Sequence, residues 1–320
     1  MTLLLGTRGS ALAVAQASTV RDAIVSGGTA CELTVVRTEG DVSGASLATI
    51  GGTGVFAGAL RTSLREGGCD LVVHSLKDLP VEPAAGLVVA AVPARGDARD
   101  ALCARDGLTL ETLPAGARVG TGSPRRRAQL KDRRPDLEVV DLRGNVDTRL
   151  RRVRDGVLDA VVLSAAGLAR LGRLDAVTEL LPLESWPTAA GQGALAVEVR
   201  EEDARPLTDP AVPATGVSAA IASLTDPLSQ DASAAERLVL RRLEAGCIAP
   251  IGVSSRVGAA GAELWASVHR PGGGARLDRR RAVSYDDGTR AAVLRAAAEG
   301  LAADLLAAGA ADLAPIGVSA

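Results

Sequence analysis

Aromatic side chains are almost missing from this chain: of 320 residues only Phe56, Trp186, Trp265 and Tyr285 carry one. That leaves few stacking surfaces for the bases of a single-stranded nucleic acid. Lysine is scarcer still. Lys77 and Lys131 are the only two among 36 basic residues, and alanine is abundant, which a coding bias towards Arg and Ala explains. An arginine count therefore says little, and position has to say the rest. No apolar stretch approaches the ~20 residues of a membrane span, residues 87–92 being among the longest. The start, MTLLLGTRGSALAVAQA, has no basic segment ahead of its leucines, and Arg8 interrupts them. A secretory signal is not expected there, and cytoplasmic residence is. Cys31, Cys69, Cys103 and Cys247 form neither CxxC pairs nor the close spacing of a disulfide framework or zinc site, so reduced thiols and no metal are expected.

What is present is the composition of a globular protein of two or three domains, 47% hydrophobic and 23% charged. A net charge of -2 argues against a surface built throughout for nucleic acid. Charge is instead concentrated. Residues 118–154 hold 12 Arg or Lys against five Asp or Glu, leaving 24 against 33 elsewhere, so one strongly cationic segment sits in an otherwise acidic protein.

Along the chain, strands alternate with helices, which implies largely parallel sheets with helices on both faces. Residues 3–5 read as a strand, GTRGS as a turn and 11–26 as a helix ending at Gly27-Gly28. A strand at 32–37 leads to the glycine-rich loop IGGTGVFAG, a helix through 65, a strand at 70–73 and the loop HSLKDLP. The plan repeats with a strand at 118–120, the turn TGSP, a helix at 125–133, a strand at 137–141, the turn LRGN, a helix at 146–156 and a strand at 160–163. Two such lobes would face each other across a cleft. Residues 201–230, rich in Pro, Ala, Asp and Thr, read as a connecting segment with the last domain boundary inside it. Beyond it, Ser233 and Glu236 have capping-box spacing and Gly246 supplies a helix stop, which leaves Cys247 just past a helix end. ELWASVHR and RRRAVSYD read as strands and 291–308 as a helix, a small α+β domain.

A strand-to-helix turn offers unpaired N–H groups and a partial positive charge, and added arginines suit it to anions. Arg8 and Ser10 stand at such a turn. Thr121, Ser123, Arg125 and Arg126 stand at another, and Arg143 and Arg149 flank a third. The implied ligand is small and polyanionic, and either carboxylate or phosphate meets the requirement. Arg127, Arg133, Arg134, Arg151, Arg152 and Arg154 read as solvated helix faces. Lys77 and Asp78 follow an apolar strand, at the carboxyl end where open α/β sheets bind ligands; an ordinary loop ion pair is the alternative. His74 reads as a hydrogen-bonded structural residue. Phe56 is either part of a lid or a core filler. Cys31, Cys69 and Cys103 read as buried and inert, whereas Cys247 lies in EAGCIAPIG, a loop where a thiol could be reached.

Taken together, RGSALA, GGTGVF, HSLKDLP, GTGSPRR, LRGNVDTRL, AGQGA and LEAGCIAPIG resemble, in order and over essentially the whole chain, the motifs of the porphobilinogen deaminases (hydroxymethylbilane synthases). The resemblance implies an α/β fold with two lobes similar to type-II periplasmic binding proteins plus a small C-terminal α+β domain. Lobe 1 would comprise 1–93 plus 194–205 with the substrate and catalytic cleft, lobe 2 would be 99–188 with the arginine-rich carboxylate-binding cleft, and 226–320 would carry the cofactor. It implies a transferase of porphyrin (haem) biosynthesis that condenses porphobilinogen stepwise on a dipyrromethane cofactor. Ammonia would be released at each step and the linear tetrapyrrole hydroxymethylbilane at the end.

By the same resemblance, Cys247 would hold dipyrromethane through a thioether, with Lys77, Ser123, Arg125, Arg126 and Gly144 as further cofactor contacts. Arg8, Ser10, Thr121, Arg143, Arg149, Arg170 and Gln192 would hold substrate and the growing chain, and Phe56 would belong to a lid. Asp78 would be the catalytic carboxylate, promoting ammonia loss and stabilising the positive azafulvene. A monomer is implied, with no nucleic-acid or membrane partner and its product passed to uroporphyrinogen-III synthase. Thr53 stands where many relatives have lysine, and 205–230 is longer than usual. Two competing readings are a two-lobed anion receptor or effector domain, and a nucleic-acid binder using 118–154.

Overall fold

The computed structural model describes residues 2–36, 54–245 and 249–316. They group into two compact units, 1–95 with 194–230 and 96–193 with 231–320.

In the first unit, β1 (Leu3–Thr7) buries Leu3 and Leu5 and leads through the turn at Arg8 to α1 (Ala11–Ser26). The helix starts where Ser10 Oγ accepts the Ala13 N–H at 3.3 Å. It buries Val20 and Ile24 against the sheet and returns the chain to β2 (Cys31–Val35), parallel to β1. α2 (Gly54–Arg65) then leads to β3 (Leu71–Ser75) and β4 (Leu87–Ala91). The sheet is completed by β10 (Leu195–Arg200), which runs antiparallel between β3 and β4, giving the order β2-β1-β3-β10-β4.

Two expectations change here. The helix begins at Gly54, so Phe56 lies in its first turn and not in a loop; the side chain of Phe56, like Thr53, lies outside the described residues. Residues 201–230 are not a linker. They form α6 (Glu201–Thr208), α7 (Gly216–Ile221) and the start of α8 (Pro227–Arg242), and Ala204, Val217 and Ile221 share the core of the first sheet. Helices of six and eight residues, one with Pro206 inside, are too short to impose a visible apolar period.

The second unit repeats the plan with β5 (Asp100–Ala104), β6 (Arg118–Gly120), α3 (Pro124–Arg133), β7 (Glu138–Val140), α4 (Val146–Arg154), β8 (Ala160–Ser164), α5 (Ala165–Arg170) and β9 (Glu179–Leu181). Its order is β7-β6-β8-β5-β9, with β6 parallel to β7 and β8, and β5 antiparallel between β8 and β9. The same unit holds an antiparallel sheet of β11 (Ile251–Val257), β12 (Gly261–His269) and β13 (Arg276–Ser284). That sheet is packed by α8, α9 (Arg290–Ala307) and α10 (Ala310–Leu313) around Val239, Leu264 and Leu301.

The antiparallel sheet is fastened to residues 187–191. Val253 N donates to Thr188 O and Thr188 N to Ser254 Oγ, both at 2.7 Å, and a Cβ on Gly252 would strike Pro187 O. Ser233 and Glu236 are not a capping box, because α8 starts six residues before Ser233. Glu236 is instead fully buried, accepting the Gly191 N–H at 2.7 Å and the Ser255 hydroxyl at 2.6 Å. A local spacing rule misreads a residue whose partners lie 45 and 19 positions away. Glu236→Ala strands both donors in the interior, and we expect a loss of about 3 kcal/mol, read as a lower urea midpoint at unchanged slope.

Candidate active site

In the first unit, Arg8, Ser10 and Asp78 line one cavity together with Gln16, His74 and Ser75. Each arrives from the carboxyl end of a parallel strand, where helix-connected chains leave room for a ligand. Arg8 and Ser10 follow β1, with Ser10 also capping α1. Asp78 closes the 3-10 turn Leu76–Asp78 directly after β3, a turn pinned by Leu76 N donating to Ala194 O at 3.0 Å. The Asp78 residue is exposed, and Lys77 beside it is half-buried.

Behind this cavity lies a buried ion group. Arg61 donates to both Glu198 oxygens, and His74 Nε2 meets Glu198 Oε2 at 3.1 Å. Burial alone would raise the Glu198 pKa, but the hydrogen bonds from His74 and Arg61 win and take it from 4.5 to about 2. His74 is thus a hydrogen-bonded structural residue that also lines the cavity.

In the second unit the arginine turn is built around a residue that motif reading passed over. Asp100, at the start of β5, is fully buried and takes donors from three segments. Arg126 Nη2 at 2.6 Å and Gln192 Nε2 at 2.9 Å meet Oδ1, while Trp186 Nε1 and Arg125 Nη1, both at 2.9 Å, meet Oδ2. Burial would push this carboxyl up; Arg125 and Arg126 hold it well below the usual carboxylate range. An acid within the otherwise apolar DALCA is the one signal that could have revealed it.

The arginines reach Asp100 because of the turn before α3. Ser123 Oγ caps that helix by accepting the Arg126 N–H, and Thr121 Oγ1 accepts the Ser123 N–H at 3.2 Å. Gly122 allows the turn to pass the Leu142 carbonyl, which a Cβ would meet at 2.8 Å. Gln192 is delivered by AGQGA, where Gly191 and Gly193 adopt φ of 75° and 89°, a region that disfavours side chains. Arg170 Nη2 donates to Gly193 O at 2.6 Å. On the next turn Asn145 caps α4, Arg149 Nε donates to Gly144 O at 2.8 Å, and Arg143 faces Asp141 at 3.5 Å. The structure therefore gathers Arg125, Arg126 and Gln192 on one carboxylate, with Arg170 fixed one residue from Gln192.

This group carries more positive than negative charge. Arg125 and Arg126 share the single carboxylate of Asp100, and Arg126 Nε is buried with no acceptor among the described residues. Burial lowers the Arg149 pKa, and the neighbouring Arg126 and Arg143 lower it further. A ligand with several carboxylates would relieve that excess, so the donor set fits dipyrromethane with its acetate and propionate arms. Cys247 lies outside the described residues. The other three cysteines are buried, and burial pushes the Cys103 thiol up to about 12.

Fold and site define an α/β protein with two similarly ordered sheets, one presenting an exposed carboxylate and the other gathering two buried arginines on a single carboxylate. A family profile described as porphobilinogen deaminase, dipyromethane cofactor binding domain, matches residues 3–208. The porphobilinogen deaminase of Leifsonia xyli subsp. xyli is 55% identical over 318 residues, 98% of this chain and 94% of that one. That of Micrococcus luteus is 56% identical over 277 residues, 80% and 74% of the two chains. The chain belongs to the porphobilinogen deaminase family. Among solved structures, an ABC transporter periplasmic substrate-binding protein from Coxiella burnetii is similar at 14% identity and a TM-score of 0.44, over 74% of this chain and 96% of that one.

The Glu198 group makes a pH prediction. Its folded pKa lies below the ordinary value, so its stabilisation is complete above pH 4.5 and is lost as pH falls through 2. The urea midpoint of the native chain should drop across that window by the equivalent of about 3 kcal/mol. In Glu198→Gln that part of the slope should be absent.

Proposed function

We propose that the chain performs its family's reaction with Asp78 as the catalytic carboxylate, the observation carrying this being the cavity that Asp78 shares with Arg8 and Ser10. The reaction condenses porphobilinogen units head to tail on a dipyrromethane primer. Ammonia leaves at each addition, and hydroxymethylbilane, the linear tetrapyrrole of porphyrin biosynthesis, is released at the end. When bound, dipyrromethane supplies a free pyrrole position for chain growth and a set of carboxylates by which it is held.

The residues divide the work. The Cys247 thiolate, which follows α8 in the sequence, is the nucleophile that ties the cofactor to the chain as a thioether. Lys77, Ser123, Arg125, Arg126 and Gly144 hold its carboxylates. Arg8, Ser10, Thr121, Arg143, Arg149, Arg170 and Gln192 take the acetate and propionate of incoming substrate and fix its orientation. The Asp78 carboxylate faces the positive charge that develops as ammonia leaves, accepts hydrogen bonds from pyrrole N–H groups, and lowers the barrier by fixed opposite charge. Phe56, in the first turn of α2, would close over this site as a lid. Functionally, 1–93 with 194–205 forms the catalytic lobe, 99–188 the carboxylate-binding lobe and 226–320 the cofactor-carrying domain. The chain works as a cytoplasmic monomer and hands its product to uroporphyrinogen-III synthase.

Two substitutions test these roles. Asp78→Asn should fold, carry the dipyrromethane mass on the Cys247 peptide, and turn over porphobilinogen at least about a hundredfold more slowly than the native chain. Near-native product formation would remove Asp78 from its role. Cys247→Ser should be recovered without the adduct by intact-protein mass spectrometry; an adduct still attached would move the anchor elsewhere.

A further inference from the structure

Asp100 is shut off from solvent, yet it binds two arginines and a glutamine assigned above to cofactor and substrate. Two adjacent guanidiniums packed into a protein interior repel each other and lose their hydration. Left alone they would swing towards water. Among the described residues their other acceptors are neutral: Arg125 Nη1 also donates to Gln129 Oε1 at 2.7 Å and Pro187 O at 3.2 Å, and Arg126 Nη1 to Val162 O at 2.9 Å. Asp100 also supplies one negative charge against two positive, so it orders the pair without neutralising it. The surplus charge, and an Arg126 Nε with no acceptor among the described residues, are left for an arriving carboxylate. Trp186 Nε1, a neutral donor, also meets the second oxygen, and Trp186 is itself wholly buried.

We propose that Asp100 is a positioning residue for anion capture, acting through Arg125, Arg126 and Gln192 to hold a preformed net-positive socket for the carboxylates of the cofactor and the growing chain. This rests on the reading of those three residues as ligand contacts. A preformed socket avoids ordering long, flexible side chains when the ligand arrives, and that is where the gain in binding comes from.

The test uses the full chain bearing Asp100→Asn, which keeps the shape and one acceptor but removes the charge. The adduct-bearing fraction is measured by intact-protein mass spectrometry, before and after incubation with porphobilinogen. Loading at limiting porphobilinogen should fall about tenfold, and in the loaded fraction KM for porphobilinogen should rise about tenfold while kcat changes much less. Trp186→Phe, which removes a neutral donor from Asp100 and leaves both arginines paired, should lower the melting temperature yet load and bind like the native chain. Native loading and KM in Asp100→Asn overturn the proposal. So do losses in Trp186→Phe as large as those in Asp100→Asn, which would make Asp100 a structural residue only. If Asp100→Asn does not fold, Asp100→Glu, with the charge kept and the guanidiniums displaced, decides: reduced loading supports positioning, while native loading or failure to fold overturns it. A native chain that never acquires the adduct, or Arg125 and Arg126 variants that load normally, would instead sink the underlying assignment of ligand contacts.

Discussion

A single carboxylate with no access to water organises the second unit. Asp100 draws together the first turn of α3, the tryptophan at 186 and the glycine-flanked Gln192, which lies 92 residues further along the chain. A buried ion cluster of this kind is a poor source of stability, since the cost of stripping water from three charged groups offsets most of their attraction. Breaking it is another matter, because whatever charge remains is stranded. The cluster therefore acts as a constraint: the chain must bring all four donors to the same point or leave a guanidinium unpaired in the interior. The details of the surrounding backbone follow from that. Gly122 lets the arginine turn slip past Leu142 O, and Gly191 and Gly193 accept positive φ so that Gln192 can point inward.

The first unit solves a different electrostatic problem with the same strand order. Its buried group, Arg61 with Glu198, pairs cation and anion one to one and braces His74 at the wall of the cavity. The charge offered to a ligand comes from outside that group, from Asp78 on its 3-10 turn and Arg8 after β1. One unit thus keeps its interior balanced and displays a carboxylate, whereas the other keeps an interior excess of positive charge.

Much of this was legible in the residues. The boundaries of α1 could be read because Ser10 and Gly27-Gly28 punctuate it and an apolar face runs between them. The arginine turns could be read because strand, small residues and capping serine occur in one short stretch. Asp100 could not, for its donors come from positions 25 to 92 residues away and an acid at a strand start looks like an ordinary edge residue. Glu236 shows the same failure in sharper form, since its spacing from Ser233 imitates a cap while its true partners are Gly191 and Ser255. The helices at 201–221 were hidden by composition, their order coming from Ala204, Val217 and Ile221 meeting a sheet already formed. Local signals report local geometry; buried charge is settled by long-range pairing.

The second unit carries one more consequence of that pairing. The residues joining Trp186 to Gln192 serve two neighbours at once: Trp186 and Gln192 bind Asp100, while Thr188 and Gly191 bind β11 and the α8 carboxylate of Glu236. Seven residues thus link the arginine cluster to the antiparallel sheet and to α8, the helix that precedes Cys247 in the sequence. On the opposite side His269 of β12 meets Asp132 of α3, and Gly274 N donates to the same carboxylate at 2.6 Å, so α3 is held at its far end as well. The helix bearing Arg125 and Arg126 is therefore clamped at both ends, at one to the 186–192 segment and at the other to the antiparallel sheet. Such a helix cannot shift by a fraction of an ångström without disturbing the packing of that sheet. The position of the guanidiniums and that of the antiparallel sheet are then one structural quantity.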